Sequence, residues 1–313
     1  MRYGLSLPNG GVCGDARVLA ELGCLAEEAG WDGVFVEDYI VHQSDGAVPT
    51  CDPWIALAAM AVGTRRICLG TSVTPLSRRR PWKVAREAVA LDQLSNGRFI
   101  LGVGSGDAGE AGFSRVNEAR DARERAQILD EALEIIVGLW RGEPFSYHGQ
   151  HFQVNEMTFL PTPVQQPRIP ILVGGGWPLR GPARRAARYD GCCLYLQHAP
   201  GDFRDWTPEE VRALKTFIER HRDPARATAP YEIKLGGRSR SDDWERDRAL
   251  MRALAEAGVT WWVEYVPAGE LDAMRASVRR GPLRIEAPAP DIPGQAAAPV
   301  PLADLRPADE AAK

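Results

Sequence analysis

Eight short apolar runs alternate along this chain with segments of helical periodicity, and this alternation constrains the fold more than any other feature. The clearest unit spans 66–106. One apolar run lies near Leu69, the second covers 99–103, and a helix that begins at Pro81 separates them. Apolar runs with little polar alternation are typical of parallel strands covered on both faces. Eight such units predict a closed (β/α)8 TIM barrel rather than an open sheet.

Two segments depart from the alternation. Residues 141–168, between the fourth helix and the fifth strand, are rich in aromatic residues and proline, and we interpret them as an insertion with a hairpin at 147–152. The predicted barrel domain therefore covers 1–285. Residues 286–313 are rich in alanine and proline with few large apolar residues, so we expect a disordered tail without catalytic function.

Composition excludes several classes of function. A formal charge of −4 removes the broad electrostatic case for binding nucleic acid or an anionic membrane. The basic run at 78–80 fits a solvated loop better than a phosphate site. No apolar stretch reaches the length of a membrane span, and the first residues enter a strand pattern directly. The six cysteines contain no C-x-x-C pair, so we expect a cytoplasmic protein with free thiols and no metal site.

Candidate catalytic residues follow the predicted strands. Asp38 and Tyr39 follow the second strand, Asp107 follows the fourth, and His42 lies slightly beyond Tyr39. Barrel enzymes place their chemistry at the carboxyl ends of the strands. For each residue a hydrogen-bonded structural role is the alternative.

Substrate contacts are expected in two segments, 107–121 and 141–168. A long polar connection such as 107–121 is often a site loop or lid. The aromatic residues of these segments could form an apolar pocket wall, or they could pack the insertion against the barrel. The residues concerned are Phe113, Phe145, Tyr147 and Phe152.

Several separated motifs occur in the order and spacing of one family. They are AEEAGWDGVFVEDY at 26–39, TRRICLGTSV at 64–73, LDQLSNGRFILGVGSGD at 91–107 and FLPTPVQQPRIPILVGGG at 159–176. Together they resemble the luciferase-like flavin-dependent oxidoreductases, a family that includes deazaflavin-dependent reductases and dehydrogenases. The resemblance spans roughly 1–285.

The resemblance implies a barrel that binds FMN, or alternatively a deazaflavin coenzyme, at the carboxyl ends of its strands. The ring would lie against a bulge after the third strand, where a cis bond is expected between Ser72 and Val73. Glycine N–H groups near a helix start also suit a phosphate. The implied cofactor-binding residues are Thr71, Ser72 and Val73 behind the ring, Gly104, Ser105 and Gly106 beside it, and Gly174, Gly175, Gly176 and Trp177 at the phosphate.

The resemblance leaves three functions open. The leading expectation is a monooxygenase that uses reduced FMN and O2 on a small organic substrate, with FMN supplied by a partner reductase. The alternatives are a deazaflavin-dependent hydride-transfer enzyme and a non-catalytic flavin-binding protein. One departure matters, because the deazaflavin-dependent sugar-phosphate dehydrogenases usually carry an active histidine at the position of Tyr39. The family resemblance also makes a homodimer plausible.

Overall fold

The computed structural model describes residues 1–42, 47–197 and 204–285. Eight of the strands formed there close into one parallel barrel. In chain order the strands are β1 (Arg2–Leu7), β2 (Gly33–Val36), β3 (Cys68–Thr71), β4 (Thr74–Pro75), β5 (Phe99–Gly104), β6 (Phe145–His148), β7 (Gln153–Met157), β8 (Ile171–Trp177), β9 (Gly191–Leu196), β10 (Glu232–Arg238) and β11 (Trp261–Tyr265).

The barrel runs β1, β2, β3, β5, β8, β9, β10, β11, and it closes where β11 pairs with β1. The short strand β4 continues the path of β3 and pairs with the end of β5. This arrangement confirms the predicted (β/α)8 barrel. The helices within the described ranges are α1 (Ala16–Glu28), α2 (Pro53–Gly63), α3 (Pro81–Ser95), α4 (Ala111–Ser114), α5 (Ala122–Leu139), α6 (Arg180–Ala187), α7 (Pro208–His221), α8 (Trp244–Ala257) and α9 (Leu271–Arg279).

Local sequence signals fix the ends of several helices. Asp52 accepts hydrogen bonds from two first-turn N–H groups of α2, and a proline follows it. Asn96 ends α3 in the left-handed conformation at φ 54°. Thr207 and Glu210 form a reciprocal capping box at the start of α7, as their spacing predicts. These signals let helix boundaries be placed from sequence to within about two residues.

Aromatic and branched side chains fill the barrel interior. Phe35 of β2 and Trp261 of β11 meet edge to face with ring centroids 5.4 Å apart. Ile100, Leu172 and Val263 pack around this pair, and all five are buried. Burying a large apolar side chain contributes roughly 1.5–3 kcal/mol, so this layer holds the barrel together below the site.

Several family motif residues support the face opposite the site. The guanidinium of Arg98 donates to four carbonyls of the α2–β3 connection and of the end of α3, and also to Thr64 Oγ1. Asp92 accepts from the backbone of 164–165. Contacts at this end of a barrel serve stability rather than chemistry.

The predicted insertion is the antiparallel β6–β7 hairpin. Glu131 of α5 accepts three backbone N–H groups of its turn, and the ring of Phe152 packs edge-on to Trp82 at 6.0 Å. The ring of Phe145 covers Gly138. The packing alternative is therefore correct for these aromatics, and the pocket-wall interpretation is wrong.

No helix in the described ranges is long and apolar enough to cross a membrane. The predicted disordered tail at 286–313 lies outside the described residues.

Candidate active site

The carboxyl ends of the barrel strands bring the predicted site segments to one rim. The last residues of β2, β3, β5 and β8 and the segments that follow them lie there because all four strands are parallel neighbours in a closed barrel. Glu37–Tyr39, Ser72–Val73, 104–107 and 174–177 are thus placed around one opening.

The segment after β3 packs on two glycines. The peptide bond between Ser72 and Val73 is cis, as the resemblance predicted. The side chain of Val73 lies so close that a Cβ on Gly104 would meet its Cγ2 at 2.8 Å, and one on Gly174 would meet its Cγ1 at 3.2 Å. These glycines therefore make room for Val73, which leaves its apolar side chain at the barrel opening.

The three glycines of β8 form extended strand and not the predicted turn. Gly174, Gly175 and Gly176 pair with β9 in continuous register, whereas pairing between β8 and β5 ends at Val173. The other edge of the β8 extension thus has no strand partner in the described residues. Peptide groups on such an edge are available to a ligand.

Helix α6 begins three residues after β8. Its N-cap residue, Leu179, supplies no side-chain hydrogen bond, so its first N–H groups are uncapped. Arg180 and Arg184 are exposed and have no ion-pair partner within the described ranges. The uncapped N–H groups lie next to Arg180, and Arg184 follows one turn later, an arrangement that suits an anionic group such as phosphate.

Asp38 is buried in an ion-pair network on the outer side of the opening. Its side chain is 1% exposed, and its carboxylate accepts from Arg79 at 2.8 Å and from Thr74 at 2.8 Å. Arg78 contacts Asp38 and also Glu110 at 2.6 Å. The solvated-loop interpretation of the basic run is therefore wrong for Arg78 and Arg79. This arrangement favours a structural role for Asp38.

Tyr39 and His42 are brought together at the rim. Their rings meet edge to face at 5.3 Å, and Tyr39 is 36% exposed whereas His42 is buried. Burial, with Glu37 as the next cause, raises the pKa of Tyr39 to about 12. Burial lowers the pKa of His42. Tyr39 is thus a partly exposed phenol at the rim that keeps its proton at neutral pH.

Glu37 is a site residue that the sequence analysis did not select. Its carboxylate Oε2 lies 3.6 Å from Nε2 of His42, and burial raises its pKa to about 7. The alternating direction of side chains along a strand is the sequence signal that could have identified Glu37. Side chains two apart share a face, so inward-facing Phe35 predicts that Glu37 faces inward and Asp38 outward.

Lys234 is a second missed residue. It lies on β10 inside the barrel, is buried, and donates to Oγ of Ser72 at 3.1 Å. Its Nζ is 4.0 Å from the ring centroid of Phe35. Burial lowers its pKa, because the ammonium has lost its hydration. The sequence signal that could have identified it is a lysine within an otherwise apolar predicted strand.

The segment after β5 contains both a fixed and an exposed part. Ser105 accepts through its carbonyl from Ser77 and Arg125. Gly106 has a φ of 72° and lies directly against the buried ring of Phe113. Asp107 is exposed and accepts from the N–H of Gly109. Phe113 therefore anchors the start of the predicted lid, and Asp107 remains accessible.

Comparison with known proteins identifies the family. The sequence model of the luciferase-like monooxygenases matches residues 1–285. The chain belongs to this family. The fold is also similar to that of a solved F420-dependent secondary alcohol dehydrogenase, which is 15% identical with a TM-score of 0.72; the match covers 91% of this chain and 99% of that protein. That likeness supports the fold alone.

Two curated relatives are F420-dependent glucose-6-phosphate dehydrogenases. The protein from Microbacterium testaceum (strain StLB037) is 38% identical over 167 residues, which are 51% of this chain and 47% of the relative. The protein from Nakamurella multipartita is 32% identical over 243 residues, which are 74% of this chain and 66% of the relative. This luciferase-like chain therefore spans about half to two thirds of the length of these relatives.

These relatives correct the leading functional expectation. They are F420-dependent dehydrogenases, so the expectation of a monooxygenase that uses reduced FMN and O2 is contradicted. Sequence motifs shared across the family gave the fold correctly. They do not separate oxygen-dependent from oxygen-independent members.

The rim of this luciferase-like barrel fits a flat ring that carries a phosphate. Val73 on its glycine pair offers an apolar surface, and the free edge of β8 with the uncapped start of α6 offers N–H donors. No group of three histidine, cysteine, aspartate or glutamate side chains in the described ranges is arranged to hold a metal ion. The apolar surface of Val73 and these N–H donors fit a flavin-type coenzyme.

Proposed function

We propose that this chain is a deazaflavin-dependent oxidoreductase, which moves a hydride between coenzyme F420 and the hydroxyl-bearing carbon of a small substrate. The observation that carries the proposal is the match to relatives that are F420-dependent dehydrogenases, at 32% identity over 74% of this chain in one case. When bound, the deazaflavin ring supplies hydride chemistry that needs no O2.

The residues of the chain would bind and orient the ligands. Val73, supported by Gly104 and Gly174, would set the plane against which the ring rests. Arg180 and Arg184 would attract the anionic part of the coenzyme to the start of α6. Because the first turn of this helix lacks a side-chain cap, its N–H groups can bind a phosphate without displacing a protein partner.

Tyr39 would orient the substrate. Its pKa of about 12 keeps the hydroxyl protonated at neutral pH, so it can donate a hydrogen bond to a hydroxyl or carbonyl oxygen. The exposed carboxylate of Asp107 lies in the segment that follows β5 and can accept a hydrogen bond at the same opening. Both contacts position substrate without forming a covalent bond.

Binding and turnover test the proposal separately. Fluorescence titration of the purified protein should show F420 binding at least tenfold tighter than FMN, in oxidised and reduced states. A panel of alcohols and sugar phosphates should then give F420 reduction at the same rate with and without O2. Tight binding of reduced FMN together with strictly O2-dependent turnover would contradict the proposal.

A variant that lacks both exposed arginines of α6 tests where the coenzyme binds. Replacing both Arg180 and Arg184 with alanine should weaken F420 binding about tenfold at low salt and less at high salt, because screening reduces the contribution of exposed charges. Arg66→Ala is the matched control, since Arg66 is exposed at the opposite end of the barrel, just before β3. An equal loss of affinity in the control would place the coenzyme elsewhere.

A further inference from the structure

Glu37 lies near four other titratable side chains of the described residues at the rim. His42 and Tyr39 face it from its own loop, Tyr265 faces it from the end of β11, and Cys13 faces it from the connection between β1 and α1. None of these four groups is a permanent cation. Glu37 itself is 19% exposed, so it reaches the opening while its charge is poorly solvated.

His42 is held rigidly beside this carboxylate. Its backbone N–H donates to Thr50 Oγ1 at 3.1 Å, and its ring packs so tightly on Gly10 that a Cβ there would collide with it. Its side chain is 3% exposed, and Nδ1 has no hydrogen-bond partner among the described residues. The ring therefore faces Glu37 in a fixed orientation and remains shielded from solvent.

Two neighbouring residues are less suitable as the proton acceptor. Tyr39 holds its proton up to a pKa of about 12. The carboxylate of Asp38 already accepts hydrogen bonds from Arg79, Thr74 and, at 3.4 Å, Arg78. Glu37 has a pKa near 7, where a group can both take and release a proton at neutral pH.

We propose that Glu37 is the catalytic residue that takes the hydroxyl proton of the substrate, with His42 as the positioning residue that fixes its carboxylate. The inference rests on the proposed function. In the oxidation the substrate O–H bond breaks and its proton goes to the carboxylate of Glu37. The C–H bond breaks with its electron pair, which leaves as hydride to the oxidised deazaflavin, and a C=O bond forms. In the reverse direction Glu37 returns the proton.

Infrared spectroscopy of the protein without coenzyme tests the carboxyl group directly. A protonated-carboxyl C=O band should titrate with a midpoint near pH 7 in D2O, and it should be lost in Glu37→Gln. The matched control Glu156→Gln alters an exposed carboxylate on β7 and should keep the band. A band that persists in Glu37→Gln, or no band that titrates above pH 6, would overturn the proposal.

Kinetics test the role in turnover. With F420 and an alcohol substrate, kcat/KM should rise with pH through about 7, and Glu37→Gln should lower kcat by about 10²- to 10⁴-fold with little change in KM and remove the inflection. Glu37→Asp should recover part of kcat, and His42→Gln should move the inflection while keeping most of the turnover. Unchanged kcat in Glu37→Gln would overturn the inference. A wild-type protein that shows the infrared band without any F420 turnover would instead overturn the proposed function.

Discussion

Nζ of Lys234 lies 3.1 Å from Oγ of Ser72, so a lysine of the seventh barrel strand supports the segment that follows the third strand. The two residues are 162 positions apart in sequence. The lysine is buried, with Phe35 on one side and Cys193 nearby. The ammonium therefore fixes the Ser72 hydroxyl from inside the barrel.

Replacing Lys234 with methionine should lower the affinity for F420 while changing the stability of the fold only slightly. The substitution replaces a buried charge with an apolar side chain of similar length. It should therefore raise or lower the free energy of unfolding by no more than about 1–2 kcal/mol. The Ser72 hydroxyl would lose its donor, so F420 affinity should fall about tenfold, the equivalent of one hydrogen bond. Urea unfolding and fluorescence titration measure the two effects.

Ser72→Ala completes a double-mutant cycle with Lys234→Met. If the lysine acts on the coenzyme through this hydroxyl, the double variant should bind F420 about as weakly as either single variant. Losses of affinity that simply add would show that Lys234 and Ser72 act independently.

The contact between Val73 and Gly104 predicts that a second substitution, at Val73, restores the stability lost on substituting Gly104. Gly104→Ala should lower stability by about 1–3 kcal/mol, because its Cβ would meet Val73 at 2.8 Å. Adding Val73→Ala should restore most of that stability while F420 affinity stays low. Gly269→Ala is the control, since a Cβ there meets nothing within 4 Å. Thermal melts of the wild type, the two single glycine variants and the double variant measure these stabilities. A Gly104→Ala protein as stable as Gly269→Ala would refute the contact.

The two aspartates proposed from sequence should behave differently. Asp38→Asn should cost about 3 kcal/mol, because it leaves buried arginine charge without its partner. Asp107→Asn should change stability by less than about 0.5 kcal/mol, since this carboxylate is exposed, yet it should lower turnover. Urea unfolding with kinetics on both variants separates a structural from a functional role. Equal destabilisation by both changes would be inconsistent with the structure.

Glu37 should make the protein less stable as the pH rises. Its folded-state pKa is about 7 instead of the ordinary 4.5, so the folded state holds a proton that the unfolded state has lost between these values. Stability therefore falls as pH rises from about 4.5 to 7, by an amount on the order of 3 kcal/mol.

Glu37→Gln removes this titration. The variant should be more stable than the wild type at pH 8 and equal to it near pH 4.5. Unfolding free energies measured at four pH values test the slope. A stability difference that does not depend on pH would contradict the raised pKa.

The sequence by itself determined the barrel and the segments that line its opening. Strand and helix periodicities are local properties, so the eight alternations could be counted without knowing any distant contact. Chain order then placed 37–39, 72–73 and 104–107 at strand ends, where a parallel barrel gathers them. The family motifs added the cis bond between Ser72 and Val73, because they match a whole segment and not a single residue.

Only the tertiary structure decided what each side chain contacts. Glu37 and Asp38 are adjacent in sequence just after β2, but Glu37 faces His42 at the rim and Asp38 faces an arginine pair, since successive residues of an extended chain point to opposite sides. The contact of Lys234 with Ser72 and that of Val73 with Gly174 each join residues about 100 or more positions apart. Such contacts depend on strand register and barrel closure, which no local pattern encodes.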